Sequence, residues 1–188
     1  MSMRGSGHDL DGIVDAALDL LDEFGLPDLS MRRLAGHLGV QPSALYWHVA
    51  NKQSLLAAVA DRIVENAEPL GAAGAASRSP VADAAWALRA ALLRRRDGAE
   101  VVVSTAALSL GSGALESRLR AAYENEGSAE PARDATVLAQ FLLGHAYLVQ
   151  QRMQAASVGA YDADPAQVAE STRADFAAGL RALAPRVS

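Results

Sequence analysis

Gln41, Pro42, Ser43, Ala44, Tyr46, Trp47 and His48 crowd into one short stretch, a set rich in hydrogen-bonding tips and aromatic faces. Gln, Ser and His side chains can bond base edges or phosphates, and aromatic rings can lie against sugars and thymine methyls. A short helix that shows Tyr, Trp and His to water must normally cover them with something. The charge pattern points the same way. Between Asp28 and Asp61 there is no acidic residue, while Arg32, Arg33 and Lys52 supply three cations to a chain whose formal net charge is −5. A local positive window on an acidic chain is the footprint expected for a polyanionic partner. From pattern alone a second reading stays open: a helical hairpin whose aromatics are buried by the rest of the protein.

The elements that must carry these residues are legible in residues 30–52. Ser30 is a good N-cap, because its hydroxyl can accept from an orphan N–H of the first turn. Met31, Leu34, Ala35 and Leu38 follow at helical spacing. Gly39 stands where a helix end needs a left-handed residue, and Pro42 where a new helix can begin. In that second helix Leu45 and Val49 should point inward, leaving Gln41, Ser43, Tyr46, Trp47 and His48 outward. The spacing therefore predicts two short helices joined by a tight turn.

The run LAGHLGVQPSALYWHVANKQSLL closely resembles the DNA-binding domain of the tetracycline-repressor (TetR) family, and its LYWHV…NK segment is similar to the branch of the tetracycline repressors themselves. The resemblance covers roughly residues 10–66. A weaker echo, RRDGAEVV at residues 95–102, is similar to the start of the ligand-domain sequence of that branch. The resemblance implies an all-α chain. A three-helix helix-turn-helix domain would occupy residues 1–66, and a helical ligand-binding and dimerisation bundle residues 67–188. It also implies roles. Arg32 matches an arginine position that contacts DNA at the start of the second helix, and Ser43, Ala44, Tyr46, Trp47 and His48 align with positions that approach bases, methyls or phosphates. Lys52 matches a phosphate-binding lysine. The Gln41-Pro42 pair stands one place earlier than in the tetracycline repressors, so the docking mode carries over but the operator sequence does not.

Composition narrows the classes further. A chain of 188 residues, 51% apolar but 5% aromatic, suits close-packed helices. With no cysteine, disulfides, cysteine zinc sites and iron–sulfur clusters are excluded. No apolar run approaches the length of a membrane span and no signal peptide opens the chain, so the expectation is a cytoplasmic protein without a membrane partner.

Taken in order, residues 1–8 are polar and read as a loose arm. The first helix starts at Asp9, with Leu10, Ile13, Val14, Ala17, Leu18, Leu21 and Phe24 on one face. Asp11, Asp15, Asp19 and Asp22 occupy the other and read as a solvated face rather than a metal site. Asn51 caps a fourth helix. Residues 69–80, PLGAAGAASRSP, read as a loop at the domain boundary. A helix over residues 81–96 follows, ending in Arg94, Arg95 and Arg96, which could meet nucleic acid or simply satisfy the helix dipole. Gly98 then fits a C-terminal cap. Val101, Val102 and Val103 are β-branched but too short a run to make a sheet. Further helices are expected over 114–126 and 132–156, with a last helix from Pro165. The long one is apolar on more than one face and must be buried on more than one side. One side would meet a second copy of the chain, the long helix around Phe141 and the last helix around Phe176 forming a shared four-helix interface.

No catalytic constellation survives. Ser104, His145 and an aspartate could be written as a triad, but there is no Gly-x-Ser-x-Gly elbow, phosphate-binding glycine loop or HExxH. No cofactor is expected. In the tetracycline repressors the segment matching residues 95–102 includes a histidine that binds the drug's magnesium; here that position is Val102, which has no lone pair for a metal. Trp86, Val102, Leu108, Phe141, His145 and Tyr147 are the expected pocket lining, mostly apolar with a few hydrogen-bonding tips. His145 reads as a core or pocket histidine ahead of a metal ligand. The sequence thus points to a dimeric, ligand-responsive DNA-binding regulator whose operator is double-stranded and palindromic and whose inducer is a small apolar or aromatic molecule. The rival is a helical carrier or enzyme that uses the body's cavity without DNA.

Overall fold

The computed structural model describes residues 9–68 and 79–183. The polar arm at 1–8 and positions 69–78 of the expected loop lie outside them. The described residues form ten α-helices and no strand. The first four are α1 (Leu10–Phe24), α2 (Met31–His37), α3 (Pro42–Leu45) and α4 (Lys52–Glu65). Then come α5 (Pro80–Arg94), α6 (Gly98–Ala107), α7 (Ala114–Asn125), α8 (Pro131–Ser157), α9 (Pro165–Ser171) and α10 (Arg173–Leu183).

Side-chain caps explain half of the ten starts. Asp9, Ser30, Asn51, Ser79 and Asp164 each accept a backbone N–H of the helix they precede, so one orphan donor at each end is satisfied. Ser79 and Pro80, expected at the end of the boundary loop, instead begin α5. The apolar stripe of α1 packs on α4, and α4 reaches onward to α5, α6 and α7. One continuous buried cluster runs from Ile13 through Leu34, Leu55 and Leu88 to Phe176 and Leu180. Helix α8 is the centre of the C-terminal half, packed against α5, α6, α7, α9 and α10.

Three expectations are corrected. Gly98 is not a C-cap: α5 stops at Arg94, Asp97 takes the left-handed conformation (φ +56°), and Gly98 opens α6. As expected of a run too short for a sheet, Val101, Val102 and Val103 are helical, and Ala99, Val101 and Val102 are buried in α6 against the shared core. The last helix is broken at Thr172 into α9 and α10. Phe176 is fully buried in the chain's own core, so it is not available to a second copy; the large apolar side chains left exposed on α8 are Val137 and Leu148.

The aspartates of α1 are not all free in water. Asp11 and Asp15 both accept from Arg62 of α4 at 2.5 Å, and Asp22 pairs with Arg95 and accepts the Arg96 N–H at 3.0 Å. The arginine run after α5 therefore ties the N-terminal helices to the body.

Candidate functional site

The reading face is built from backbone geometry upward. Ser30 Oγ accepts the Arg33 N–H at 3.2 Å and fixes the start of α2. At its end Gly39 is left-handed (φ +68°), Gly39 N–H donates to Gly36 O and Val40 N–H donates to Ala35 O at 3.0 Å. This pair of bonds is a Schellman closure, and it turns the chain sharply into α3. Helix α3 is a single turn with Pro42 at its start, and residues 46–48 continue as a turn held by His48 N–H and Val49 N–H on Leu45 O, each at 2.9 Å. Leu45 and Val49 are buried and act as the pins of this segment.

The remaining side chains are displayed. Gln41, Ser43, Tyr46, Trp47 and His48 are exposed, with Trp47 at 89%, while Pro42 and Ala44 are half-buried. Trp47 and the neighbouring Tyr46 are among the large apolar side chains that the fold leaves exposed. Arg32 is exposed and Lys52, half-buried, is the first residue of α4; among the described residues neither has an ion-pair partner. Arg33 is different: it pairs with Asp28 at 3.1 Å and lies over the Phe24 ring, 4.4 Å from its centroid.

The six residues expected to line one pocket fall in different places. Val102 lines a cavity of about 360 Å³ between α4, α6 and α7, together with Val64, Thr105, Leu115 and Leu143. Trp86, Phe141 and His145 come together elsewhere, in an aromatic cluster closed by Phe176: Trp86 meets Phe176 edge-on at 4.7 Å, and Phe141 stacks on Phe176 at 5.5 Å. Leu108 is exposed and Tyr147 is half-buried on α8.

At the centre of the aromatic cluster is Arg89, 4% exposed and absent from the sequence reading. Its Nε donates to His145 Nε2 at 3.2 Å, and one terminal nitrogen donates to Ala169 O at 2.8 Å and Thr172 Oγ1 at 2.9 Å. It thus pins the α9–α10 break to α5 and α8. Burial, and then the Arg89 charge, push His145 down to about 4, which keeps its Nε2 an acceptor. The only hint in sequence was an arginine set among the apolar residues of α5. Asp61 and Glu116, which also line the α4–α6–α7 cavity, were missed too, because each belongs to a different helix far apart in the chain.

Comparison with known proteins agrees with this geometry. The family model for bacterial regulatory proteins of the tetR family matches residues 13–59, the span from α1 into α4. The Escherichia coli tetracycline repressor protein class D is 40% identical over 149 residues, covering 78% of this chain and 68% of that one. BioQ of Mycobacterium smegmatis is 36% identical, with a TM-score of 0.73 over 93% of this chain and 98% of its own. A BioQ solved with its natural double-stranded DNA operator is 39% identical, TM-score 0.66, over 78% and 89% of the two chains. A TetR variant from Acinetobacter baumannii in complex with minocycline is 28% identical, TM-score 0.61, over 77% and 72%. With a relative at this identity matched over two thirds of its length, and the helix-turn-helix built as described, the chain belongs to the tetR family of bacterial regulatory proteins.

Proposed function

We propose that this chain is a ligand-responsive transcriptional repressor that binds a palindromic operator as a homodimer and releases it when a small molecule enters the body. Residues up to about 66 are the DNA head, and residues 67–188 are the ligand-binding and dimerisation unit. The observation that carries the reading is the α3 face: Tyr46, Trp47 and His48 stand exposed between two cations, Arg32 and Lys52, that no carboxylate of the described residues engages. On this reading the α3 segment enters the major groove while Arg32 and Lys52 hold phosphates. The BioQ–operator complex supports the docking, and the minocycline complex supports a ligand in the body.

A single head spans too few base pairs for a selective site, so two heads act together, with recognition segments about 34–36 Å apart or a multiple of it. The face of α8 that carries Val137, Gln140, Gly144 and Leu148 is exposed and supplies the surface for the second copy. A ligand that prefers the arrangement unable to bind DNA must weaken operator binding by the same factor that DNA weakens the ligand; a coupling of about 3 kcal/mol is roughly 150-fold. The test is selection of random duplexes on the full chain, followed by a gel shift on the promoter beside its own gene. An inverted repeat should emerge and shift at nanomolar protein. Duplexes recovered no better than random sequence would remove the regulatory reading and leave the carrier or enzyme.

A further inference from the structure

The geometry points to a lipophilic organic cation as the class of ligand taken by the α4–α6–α7 cavity. This rests on the ligand-responsive reading and names the chemistry of its effector. The cavity, about 360 Å³, has apolar walls that include Val64, Val102, Leu115 and Leu143. Its volume is at the small end of ligand pockets, which suits a body of one or two rings. Among the described residues the charged side chains that line it are Asp61 and Glu116, with no Lys, Arg or His beside them.

Among the described residues no cation stands within ion-pair distance of Asp61 or Glu116. Arg118, two residues beyond Glu116 on α7, donates to the carbonyls of Val64 and Ala67 instead. Asp61 accepts the Ser112 N–H at 2.9 Å and the Ser112 hydroxyl at 2.9 Å. An ionised carboxylate offers about four acceptor sites, so capacity for a further donor remains.

These facts rank the ligand classes. An anion entering would be stripped of water against two like charges, which is unfavourable in a partly apolar cavity. A wholly apolar molecule would satisfy the walls but take water from Asp61 and Glu116 without replacing it. A cation with an apolar body satisfies both the walls and the carboxylates. Asp61 is also where such a ligand meets α4, the helix that leads from the DNA head, and it holds the α6–α7 loop through Ser112. A cation drawn to Asp61 competes with Ser112 and loosens that loop from α4.

The experiment uses the full chain and calorimetric titration with 1-naphthylmethylammonium, whose three N–H groups can donate, its anionic counterpart 1-naphthylacetate and the neutral 1-naphthylmethanol. The cation should bind once per chain and at least tenfold more tightly than the anion. Asp61→Asn and Glu116→Gln should each weaken the cation by about tenfold, the effect of losing one charge-assisted contact. An anion bound as well as the cation, or cation affinity unchanged in both variants, overturns the inference. Should Asp61→Asn fail to fold, Glu116→Gln, at an exposed position in the first turn of α7, carries the test alone. Operator binding by the ligand-free chain is measured in parallel. If the operator is bound and the cation is not preferred, only the ligand class falls. If the cation binds and no operator exists, the regulatory reading falls and the pocket chemistry stands.

Discussion

Arg32 and Arg33 are neighbours of the same type on the first turn of α2, and the fold gives them different partners. Arg33 is occupied by Asp28 and by the face of Phe24, whereas Arg32 and Lys52 reach outward without a carboxylate. An exposed ion pair contributes about 0–1 kcal/mol and an exposed cation–π contact about 0.5–1 kcal/mol. Arg33→Ala should therefore cost folding stability of about that size. Arg32→Ala and Lys52→Ala should leave stability nearly alone but each remove one phosphate contact. That flattens the plot of log affinity against log salt by about one unit. Equal slopes for wild type and both variants would show that these cations do not touch phosphate. His145 makes a prediction on another axis. Its folded value of about 4 lies below the ordinary 6.5, so the unfolded chain takes up the proton first as pH falls. The stability contributed by neutral His145 is complete above pH 6.5 and is lost between 6.5 and about 4. Replacement by Gln, whose amide oxygen can still accept from Arg89, should flatten the fall of Tm over that window. A His145→Gln curve parallel to wild type would mean that another group titrates there.

At the scale of the element, what could be read in advance was whatever local bonds decide. Ser30, Gly39, Pro42 and Asn51 act within a few residues of themselves, so the α2–turn–α3 unit and the start of α4 were legible, and with them the exposed face. The α5–α6 corner was not. A local rule sends the left-handed conformation to Gly98, but Asp97 takes it because its carboxylate is claimed from far away, by the Leu26 N–H and by Gln154. The pocket failed for a related reason. Helical spacing places Trp86, Phe141 and His145 on helix faces, and only the packing of α10 through Phe176 shows that those faces close on one another around Arg89. Gly98 nevertheless has a use that its sequence position could not reveal. A Cβ there would stand 2.8 Å from the Leu92 carbonyl oxygen, a backbone atom with little freedom to yield. Gly98→Ala should cost about 1–3 kcal/mol through this overlap, a fall in Tm of roughly 2–10 °C for a chain of this size. An unchanged or raised Tm by circular dichroism would show that the corner yields to admit the added methyl group.

Across the whole molecule, the helix-turn-helix half and the cavity are joined at a small number of places. Helix α4 leaves the head and forms one wall of the cavity, so a ligand bound in the proposed site would touch it directly. The second joint is the corner between α5 and α6. Asp97 holds the Leu26 N–H of the head at 2.6 Å and Gln154 of α8 at once, and beside it Asp22 of α1 binds Arg95 and Arg96. Gln150 of α8 accepts the Ala99 N–H at 2.9 Å and donates to Arg95 O at 2.9 Å, so α8 grips the same corner from the other side. A two-site coupling needs such connections, because a ligand shifts the head only if the two are mechanically joined in at least one state. Asp97→Gly isolates this joint. Glycine adopts the left-handed backbone without strain, so the substitution deletes both side-chain bonds without adding a backbone penalty at that position. The factor by which the naphthylmethyl cation weakens operator binding should then shrink toward one. By linkage, the factor by which operator weakens the cation must shrink equally. Both are measured, by fluorescence anisotropy of the operator with and without cation and by titration of the cation with and without operator. Coupling that stays at the wild-type value in Asp97→Gly, with the chain folded, would place the transmission entirely in α4 and remove the corner from it.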